Sequence, residues 1–269
     1  MTWNPGRSVP FIKASALGND FLLIDGKFAP QDMAAFTRAI CDRNNGVGAD
    51  GVEWLYEAKD RAADMQIRLI NADGSPAEIS GNGTRCVASW VVAERGIQAP
   101  RIATDAGIKV CEMTRRDGNY FEFKTGIGKP VIHKEIVLDV DGESVRGLEL
   151  SMGNPQFVTF VSRFESGWQV VAHDVSHHRH FSHGTNVELA KVVGKHEIEI
   201  RIYERGAGET LSSGTGSSAA AVAAIAAGKA ESPVQVIAPG GAQTVRWEKD
   251  GDVILYGAAR LLCRGEFFL

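Results

Sequence analysis

One stretch of this sequence occurs twice. Residues 80–84 read Ser-Gly-Asn-Gly-Thr and residues 213–217 read Ser-Gly-Thr-Gly-Ser, and each stretch leads into a run of good helix-forming residues. Glycines at this spacing let the backbone turn tightly and approach a ligand closely. The helix that follows directs its free N–H groups and the positive end of its dipole toward the turn. The sequence therefore predicts two anion-binding helix N-termini, each directly preceded by a serine, Ser80 or Ser213.

Other segments of the two halves match at nearly the same offset. Besides the two Ser-Gly turns, residues 18–21 correspond to 153–157, residues 50–53 to 185–188, residues 66–71 to 199–204, and Gly96 to Gly228. One matching pair would be chance, but five pairs about 132–135 residues apart indicate a duplicated half-chain. We therefore expect one domain from residues 1–126 with a C-terminal strand at about 259–269, and a second from residues 127–258.

The pattern inside each half favours the α+β fold class. Short alternating segments, such as residues 65–70 and 120–124, predict strands, and residues 31–43 have helical periodicity. The helix after the second turn carries small apolar residues nearly all round at residues 219–226, so it should be buried. We predict two pseudo-symmetric domains, each a curved, mostly antiparallel sheet wrapped around a central helix and joined by a linker at residues 126–130. Both helix N-termini would then point into an interdomain cleft, where ligand sites tend to form.

The composition excludes several classes of function. With 44% hydrophobic and 23% charged residues, a net charge of −4 and no basic block, binding to nucleic acid or to a membrane surface is not indicated. The N-terminus has no apolar signal core, and the apolar run at residues 219–227 is too short to span a bilayer. The four cysteines are scattered without a C-x-x-C pair, which is typical of free thiols, so we expect a cytoplasmic protein.

Taken together, these motifs resemble the diaminopimelate epimerase family. The motifs that carry the resemblance are residues 18–21, 71–75, 81–86, 152–155, 184–187 and 204–210, an ordered set that covers essentially the whole chain. The resemblance implies a PLP-independent isomerase, with no cofactor, that interconverts LL- and meso-diaminopimelate in lysine and cell-wall biosynthesis. It also implies a small-molecule amino-acid substrate and a homodimer.

The resemblance also implies roles for individual residues. Inversion at an α-carbon requires removing a proton on one face and delivering one to the other, so each half would supply one acid/base group, at Ser80 and at Ser213. The four turn residues that would clamp the α-carboxylate are Gly81, Asn82, Gly214 and Thr215. The positions that match those holding the substrate's amino and distal groups are Asn19, Asn71, Asn154, Asn186, Glu204 and Arg205. The Arg205 guanidinium is suited to bidentate binding of a carboxylate.

The sequence departs from the family pattern at the centre of this site. The family's two bases are cysteines, and Ser80 and Ser213 stand in their places here. A thiol near pKa 8.5 becomes a reactive thiolate at a helix N-terminus, whereas a serine hydroxyl is far less acidic. In addition, Gln156 stands where the family commonly has a histidine, and Gly51 where it often has a glutamine.

Three interpretations follow from these departures. The serines could relay protons in an epimerase. Alternatively, the protein could be a related Cα-proton-abstracting isomerase or a dehydratase on another substrate. Finally, it could be an impaired homologue that binds an amino acid without turnover, or carry deliberate Cys→Ser replacements. Such replacements would explain the serines but not Gln156 and Gly51, so a natural variant is favoured.

Some of these residues also have a purely structural interpretation. Ser80 and Ser213 are suited to be helix N-caps, and Asn19 and Asn154 are common turn residues. Five histidines between residues 173 and 183 could bind a metal ion, but no carboxylate or cysteine completes a ligand set, so a solvated loop without metal is predicted.

Overall fold

The structure is a computed structural model that describes residues 8–248 and 250–269. Residues 1–7, assigned above to the first half, lie outside the described residues. The helices are α1 Met33–Cys41, α2 Gly81–Arg95, α3 Trp168–Ser176 and α4 Gly214–Ala226. The chain divides into two compact units, Met1–Thr125 with Gly257–Leu269, and Gly126–Tyr256. We refer to them as the first and second unit.

The strands of the first unit begin with an antiparallel pair. They are β1 Ser8–Ala16, β2 Asn19–Asp25, β3 Gly51–Tyr56, β4 Met65–Asn71, β5 Pro76–Ala77, β6 Arg101–Thr104, β7 Gly107–Asp117 and β8 Tyr120–Gly128. Strand β2 pairs antiparallel with β1 and parallel with β3, and β3 pairs antiparallel with β4. Strand β4 then pairs antiparallel with β5 and parallel with β6, after which β6, β7 and β8 follow one another antiparallel.

The second unit repeats this order of pairings. Its strands are β9 Val131–Val140, β10 Glu143–Ser151, β11 Pro155–Phe160, β12 Asn186–Gly194, β13 Glu197–Glu204, β14 Gly208–Thr210, β15 Val234–Ala238, β16 Gly241–Arg246 and β17 Val253–Phe268, the last of which continues into the first unit. Strand β11 pairs antiparallel with β10 and parallel with β12, and β13 pairs antiparallel with β12 and β14 but parallel with β15. The alternation of parallel and antiparallel pairs is the same as in the first unit, which is the structural expression of the sequence repeat.

Each unit packs its sheet around one central helix. The core of the first unit includes Cys86, Val87 and Val91 of α2 together with residues of β1, β2, β4 and β6. In the second unit, residues 219–224 of α4 are fully buried against β10 to β16. Alanines all round this helix let the strands approach it closely from every side. The predicted α+β class and the buried second helix are confirmed.

The caps of α2 explain where it begins and ends. Ser80 has extended backbone angles and its Oγ accepts a hydrogen bond from Gly83 N, which satisfies one of the free N–H groups of the first turn. Gly96 ends the helix with φ of 69°, a left-handed conformation that glycine adopts without a steric penalty. Its N–H bonds back to Val92 O. Both ends of the helix are therefore specified by local sequence.

Two expectations from the sequence are correct only in part. The predicted linker at residues 126–130 is shorter than expected, because β8 extends to Gly128 and β9 begins at Val131. The histidine segment predicted to be a loop begins within α3, which includes His173 and buries Trp168, Ala172 and Val175. These three apolar residues are spaced by four and three positions, which predicts a helix, but the neighbouring histidines obscured that pattern.

No helix in the described parts of the chain is both long enough and apolar enough to cross a membrane.

Candidate functional site

The first Ser-Gly turn forms the N-terminus of α2. Ser80 is half-buried, and its carbonyl oxygen accepts from Thr84 N at 2.8 Å and from Thr84 Oγ1 at 2.7 Å. Gly81 is exposed, with no atom within 4 Å of the position where a Cβ would lie. The next residue, Asn82, is buried. The turn thus presents an open backbone position beside a serine hydroxyl that caps the helix.

Two of the predicted substrate-binding asparagines contact each other beside this turn. Asn82 Nδ2 donates to Asn19 Oδ1 at 2.6 Å, and Asn19 Nδ2 donates to Asp50 Oδ2 at 3.1 Å. At the other end, the guanidinium of buried Arg85 donates to Asn82 Oδ1. A cation and a carboxylate therefore fix the orientation of both amides in one polarised chain.

Asn71 lies at the end of strand β4, and its side chain is not among the hydrogen-bonded groups just described. It faces Gly51 across the β3–β4 pair, and its Nδ2 donates to Ser75 Oγ at 3.1 Å. The backbone N–H of Ala72 donates to the carbonyl of Asp50, and strand β3 lies between the strand of Asn71 and the strand of Asn19.

A buried carboxyl group lies directly behind the α2 turn. Glu53 of β3 is fully buried, and a Cβ added to Gly83 would lie only 2.0 Å from its Oε1. Among the described residues, neither carboxyl oxygen of Glu53 has a hydrogen-bond partner. Burial raises the pKa of Glu53 from 4.5 to about 8, because desolvation disfavours the charged form. Glu53 is therefore mostly protonated at neutral pH.

This pKa predicts how stability depends on pH. Below pH 4.5 Glu53 is protonated in both the folded and the unfolded chain, and above it the unfolded chain ionises first. The free energy of unfolding is therefore lowered by about 1.4 kcal/mol per pH unit until the folded group ionises near pH 8. We expect Glu53→Gln to gain stability relative to the parent protein steadily from pH 5 to pH 8, measured by chemical denaturation.

A matched control for this prediction is Glu57→Gln, because the Glu57 side chain is 82% exposed. Its stability difference from the parent should stay constant over the same range. Parallel curves for Glu53→Gln and the parent would contradict the protonated state of Glu53.

The second Ser-Gly turn opens α4 in the same way. Ser213 is the N-cap, and its Oγ accepts from Gly216 N at 3.2 Å. Thr215 Oγ1 lies 3.5 Å from Ser213 Oγ and 3.4 Å from the side-chain amide of Asn154. Unlike Ser80, Ser213 is buried, with 8% of its surface exposed.

The second unit brings its predicted residues together around Gln156. The amide orientation of Gln156 is assigned from its neighbours. With its nitrogen toward Glu188, it donates to Glu188 Oε1 at 2.9 Å and its oxygen accepts from Asn186 Nδ2 at 3.2 Å. The Asn154 amide lies 2.7 Å away. Asn186 Oδ1 in turn accepts from Arg205 N at 3.1 Å. Gln156 therefore connects two predicted substrate-binding asparagines to a buried carboxyl group.

The carboxyl groups of the second unit also have raised pKa values. Glu188 is fully buried, and its pKa is raised well above the ordinary value by desolvation and then by the nearby Glu204 carboxyl. Burial also raises the pKa of Glu204, while a hydrogen bond from Thr210 Oγ1 at 2.9 Å opposes the shift. Such raised values are typical of acid/base sites, although structural networks also produce them.

Sequence reasoning missed Glu53 and Glu188 as candidate functional residues. Each lies in a strand whose four residues at 52–55 or 187–190 are all buried, and each is the only charged residue in its run. The signal was present, since one carboxyl group interrupts an apolar run at matching positions in both halves. Cys86, by contrast, is fully buried in the core.

Solved structures share this fold over nearly the whole chain. The Bacillus anthracis phenazine biosynthesis protein of the PhzF family matches with a TM-score of 0.74 and 15% identity, covering 98% of this chain and 100% of that one. A hydroxyproline epimerase from Agrobacterium vitis matches with a TM-score of 0.66 and 16% identity, covering 99% of this chain and 92% of that one. At these identities the likeness concerns the fold alone. These structures therefore establish the fold class of this chain and not its activity.

Sequence comparison narrows that class. The family model described as diaminopimelate epimerase matches residues 11–132 and 149–262. The diaminopimelate epimerase of Pelotomaculum thermopropionicum is 34% identical over 276 residues, covering 96% of this chain and 98% of the relative. The chloroplastic enzyme of Oryza sativa subsp. japonica is 33% identical over 292 residues, covering 96% and 80%. The chain belongs to the diaminopimelate epimerase family, which confirms the resemblance found in its sequence.

Proposed function

We propose that this protein inverts the α-carbon of an amino acid without PLP and that LL- and meso-diaminopimelate are its substrate pair. Its place would then be lysine and cell-wall biosynthesis. The observation that carries the proposal is the duplicated Ser-Gly turn, which opens a buried helix in each of two units of the same topology. Family membership supplies the substrate, because the sequence relatives are named for it.

The two helix ends would hold the α-carboxylate. The first N–H groups of an α-helix have no partner inside it, and they and the helix dipole favour a negative charge. We assign this clamp to Gly81 and Asn82 of α2 and to Gly214 and Thr215 of α4. Negative charge that develops at Cα during proton removal would be stabilised by the same donors.

The remaining predicted residues would hold the amino and distal groups of the substrate. They are Asn19, Asn71, Asn154, Asn186, Glu204 and Arg205. Their hydrogen bonds support this role, because Asn19 is oriented through Asp50, and Asn186 through Gln156. An oriented amide presents a defined donor to a ligand without reorganising.

The two halves would each contribute one acid/base group to a single substrate molecule. We assign residues 1–126 with about 259–269 to the Ser80 half and residues 127–258 to the Ser213 half. Inversion needs one group on each face of Cα, so a duplicated chain with one serine turn per copy fits this chemistry. Both hydroxyls accept from the N–H of the third helical residue, which orients their oxygen atoms.

The test is NMR of LL- and meso-diaminopimelate incubated with the protein in D2O. We expect the Cα–H signals to disappear in a protein-dependent manner while the two isomers interconvert. Exchange without interconversion, or elimination products, would favour another reaction that begins at Cα. Binding seen by calorimetry with no exchange would overturn the proposed turnover and leave an amino-acid-binding protein.

We also propose a homodimer that works in the cytoplasm. Exposed apolar side chains of the first unit, including Val110, Leu262 and Phe268, support a subunit contact. The four cysteines are free, which fits a reducing compartment. Light scattering coupled to size-exclusion chromatography should give twice the chain mass of 29.0 kDa, and a monomeric mass would exclude the dimer.

A further inference from the structure

Two fully buried glutamates occupy matching positions in the two units. Glu53 lies on β3, opposite Leu23 of the parallel strand β2, and Glu188 lies on β12, opposite Val158 of the parallel strand β11. Both have 0% exposure. A buried carboxyl group is costly unless it is bonded, and an apolar residue would fill either position without that cost. Two buried glutamates at equivalent positions therefore indicate a chemical role rather than a packing role.

Each carboxyl group lies behind the turn that carries a serine. A Cβ added to Gly83 would lie 2.0 Å from Glu53 Oε1 and 3.3 Å from Ser80 Cβ. A Cβ added to Gly216 would lie 2.7 Å from Glu188 Oε1 and 3.3 Å from Ser213 Oγ. Only a glycine Cα therefore separates the carboxyl group from the serine in each unit, and the N–H of the same glycine donates to the serine hydroxyl.

We infer that Glu53 and Glu188 are proton-holding residues that act through Ser80 and Ser213, one pair in each unit. The inference rests on the proposed epimerase function and deepens it, because it supplies the bases that the serine hydroxyls lack. Neither glutamate touches the substrate. No hydrogen bond joins either glutamate to its serine among the described residues. Each glutamate therefore accepts a proton from, or returns one to, the serine in front of it when that hydroxyl turns toward the carboxyl group.

The protons and electrons balance over one inversion. Ser80 Oγ takes the Cα proton as its own hydroxyl proton passes to the ionised Glu53 carboxylate, and the electron pair of the broken C–H bond stays on Cα. On the other face, the Ser213 hydroxyl proton forms the new C–H bond with that pair, and protonated Glu188 replaces it. The net change is one proton gained by Glu53 and one lost by Glu188. The reverse inversion, or exchange with solvent, restores the starting state.

The groups around each glutamate allow both protonation states. Near Glu53 is Cys86 of α2, whose thiol pKa is raised by burial and also by the Glu53 charge, and desolvation raises the pKa of Glu53 itself to about 8. Near Glu188 are Gln156, whose amide donates to the carboxylate, and Glu204, whose charge disfavours ionisation. The Glu53 pKa of about 8 is close to neutral, as in an efficient general acid or base.

The experiment measures the pH profile of Cα deuterium exchange for the parent protein, Glu53→Gln and Glu188→Gln. Glutamine keeps the shape of the side chain but cannot take or give the proton. We expect exchange to fall about 10²–10⁴-fold in each variant, the usual worth of a general acid or base. The titration step near pH 8 should also vanish in Glu53→Gln. Glu112→Gln, an exposed partner of Lys124, is the matched control and should behave as the parent. Folded Gln variants with unchanged rates and profiles would overturn the inference.

A second measurement keeps the inference testable if the parent protein catalyses no exchange. Carboxyl carbons of ¹³C-labelled glutamate are titrated by NMR in the parent, Glu53→Gln and Ser80→Ala. We expect a signal with a midpoint near 8 that is absent in Glu53→Gln and displaced in Ser80→Ala. A midpoint that does not respond to Ser80→Ala would refute the coupling, whereas loss of exchange with the coupling intact would refute only the proposed epimerase function.

Discussion

The variant that carries both Ser80→Ala and Ser213→Ala should lose Cα deuterium exchange by roughly 10²–10⁴-fold, the usual contribution of a positioned acid or base. The reason is that no other hydroxyl or thiol described in the structure caps these two helix ends. Binding of diaminopimelate, measured by calorimetry, should change far less, because the proposed clamp would consist of backbone N–H groups and other side chains. Undiminished exchange in the folded double variant would refute the proton relay.

Loss of the serine caps is a separate effect that needs its own control. An N-cap Ser→Ala change costs about 1 kcal/mol of stability, whereas Ser→Gly costs only a few tenths. The Ser80→Gly and Ser213→Gly pair therefore removes both hydroxyls while retaining most of the cap stability, and it should lose exchange as the alanine pair does. Ser218→Ala is the matched control within α4, because its Oγ donates to Gly214 O at 2.8 Å inside the same turn.

Sequence patterns predicted the repeat and the two central helices because both are local properties. A Ser-Gly turn followed by alanines specifies a capped, buried helix whatever surrounds it, and α4 shows this directly. A constant offset between matching segments likewise requires no knowledge of tertiary contacts. The same reasoning named Ser80, Ser213 and the residues that surround Gln156 in the second unit.

The contacts of the polar residues around the first turn could not be predicted, because these contacts join distant parts of the chain. Asn82 reaches Asn19 across 63 positions, and Asp50 reaches Asn19 across 31. In the sequence, Glu53 resembles an ordinary strand residue. Only the structure shows that the parallel β2–β3 pair and helix α2 enclose it. Burial alone changes that carboxyl group from a charged surface residue into a neutral acid.

Arg205→Ala should weaken binding of diaminopimelate about 100-fold or more. The side chain is held at one end, since Arg205 NH1 donates to His183 O at 3.1 Å and its backbone N–H donates to Asn186 Oδ1 at 3.1 Å. A guanidinium fixed in this way can bind a carboxylate through two parallel hydrogen bonds. Hydrogen bonds to charged groups are each worth about 1.5–3 kcal/mol, so losing a pair corresponds to at least a hundredfold change in Kd.

Arg205→Ala and the double serine variant should change different kinetic constants. Arg205 would hold a distal carboxylate away from Cα, so Arg205→Ala should raise KM strongly, whereas the double serine variant should lower kcat with little change in Kd. Arg205→Lys keeps the charge but not the paired geometry, and it should recover only part of the affinity. Arg146→Ala removes an exposed arginine that pairs with Glu135, so it controls for the loss of positive charge. Equal affinities of Arg205→Ala and Arg146→Ala would show that Arg205 does not bind the substrate.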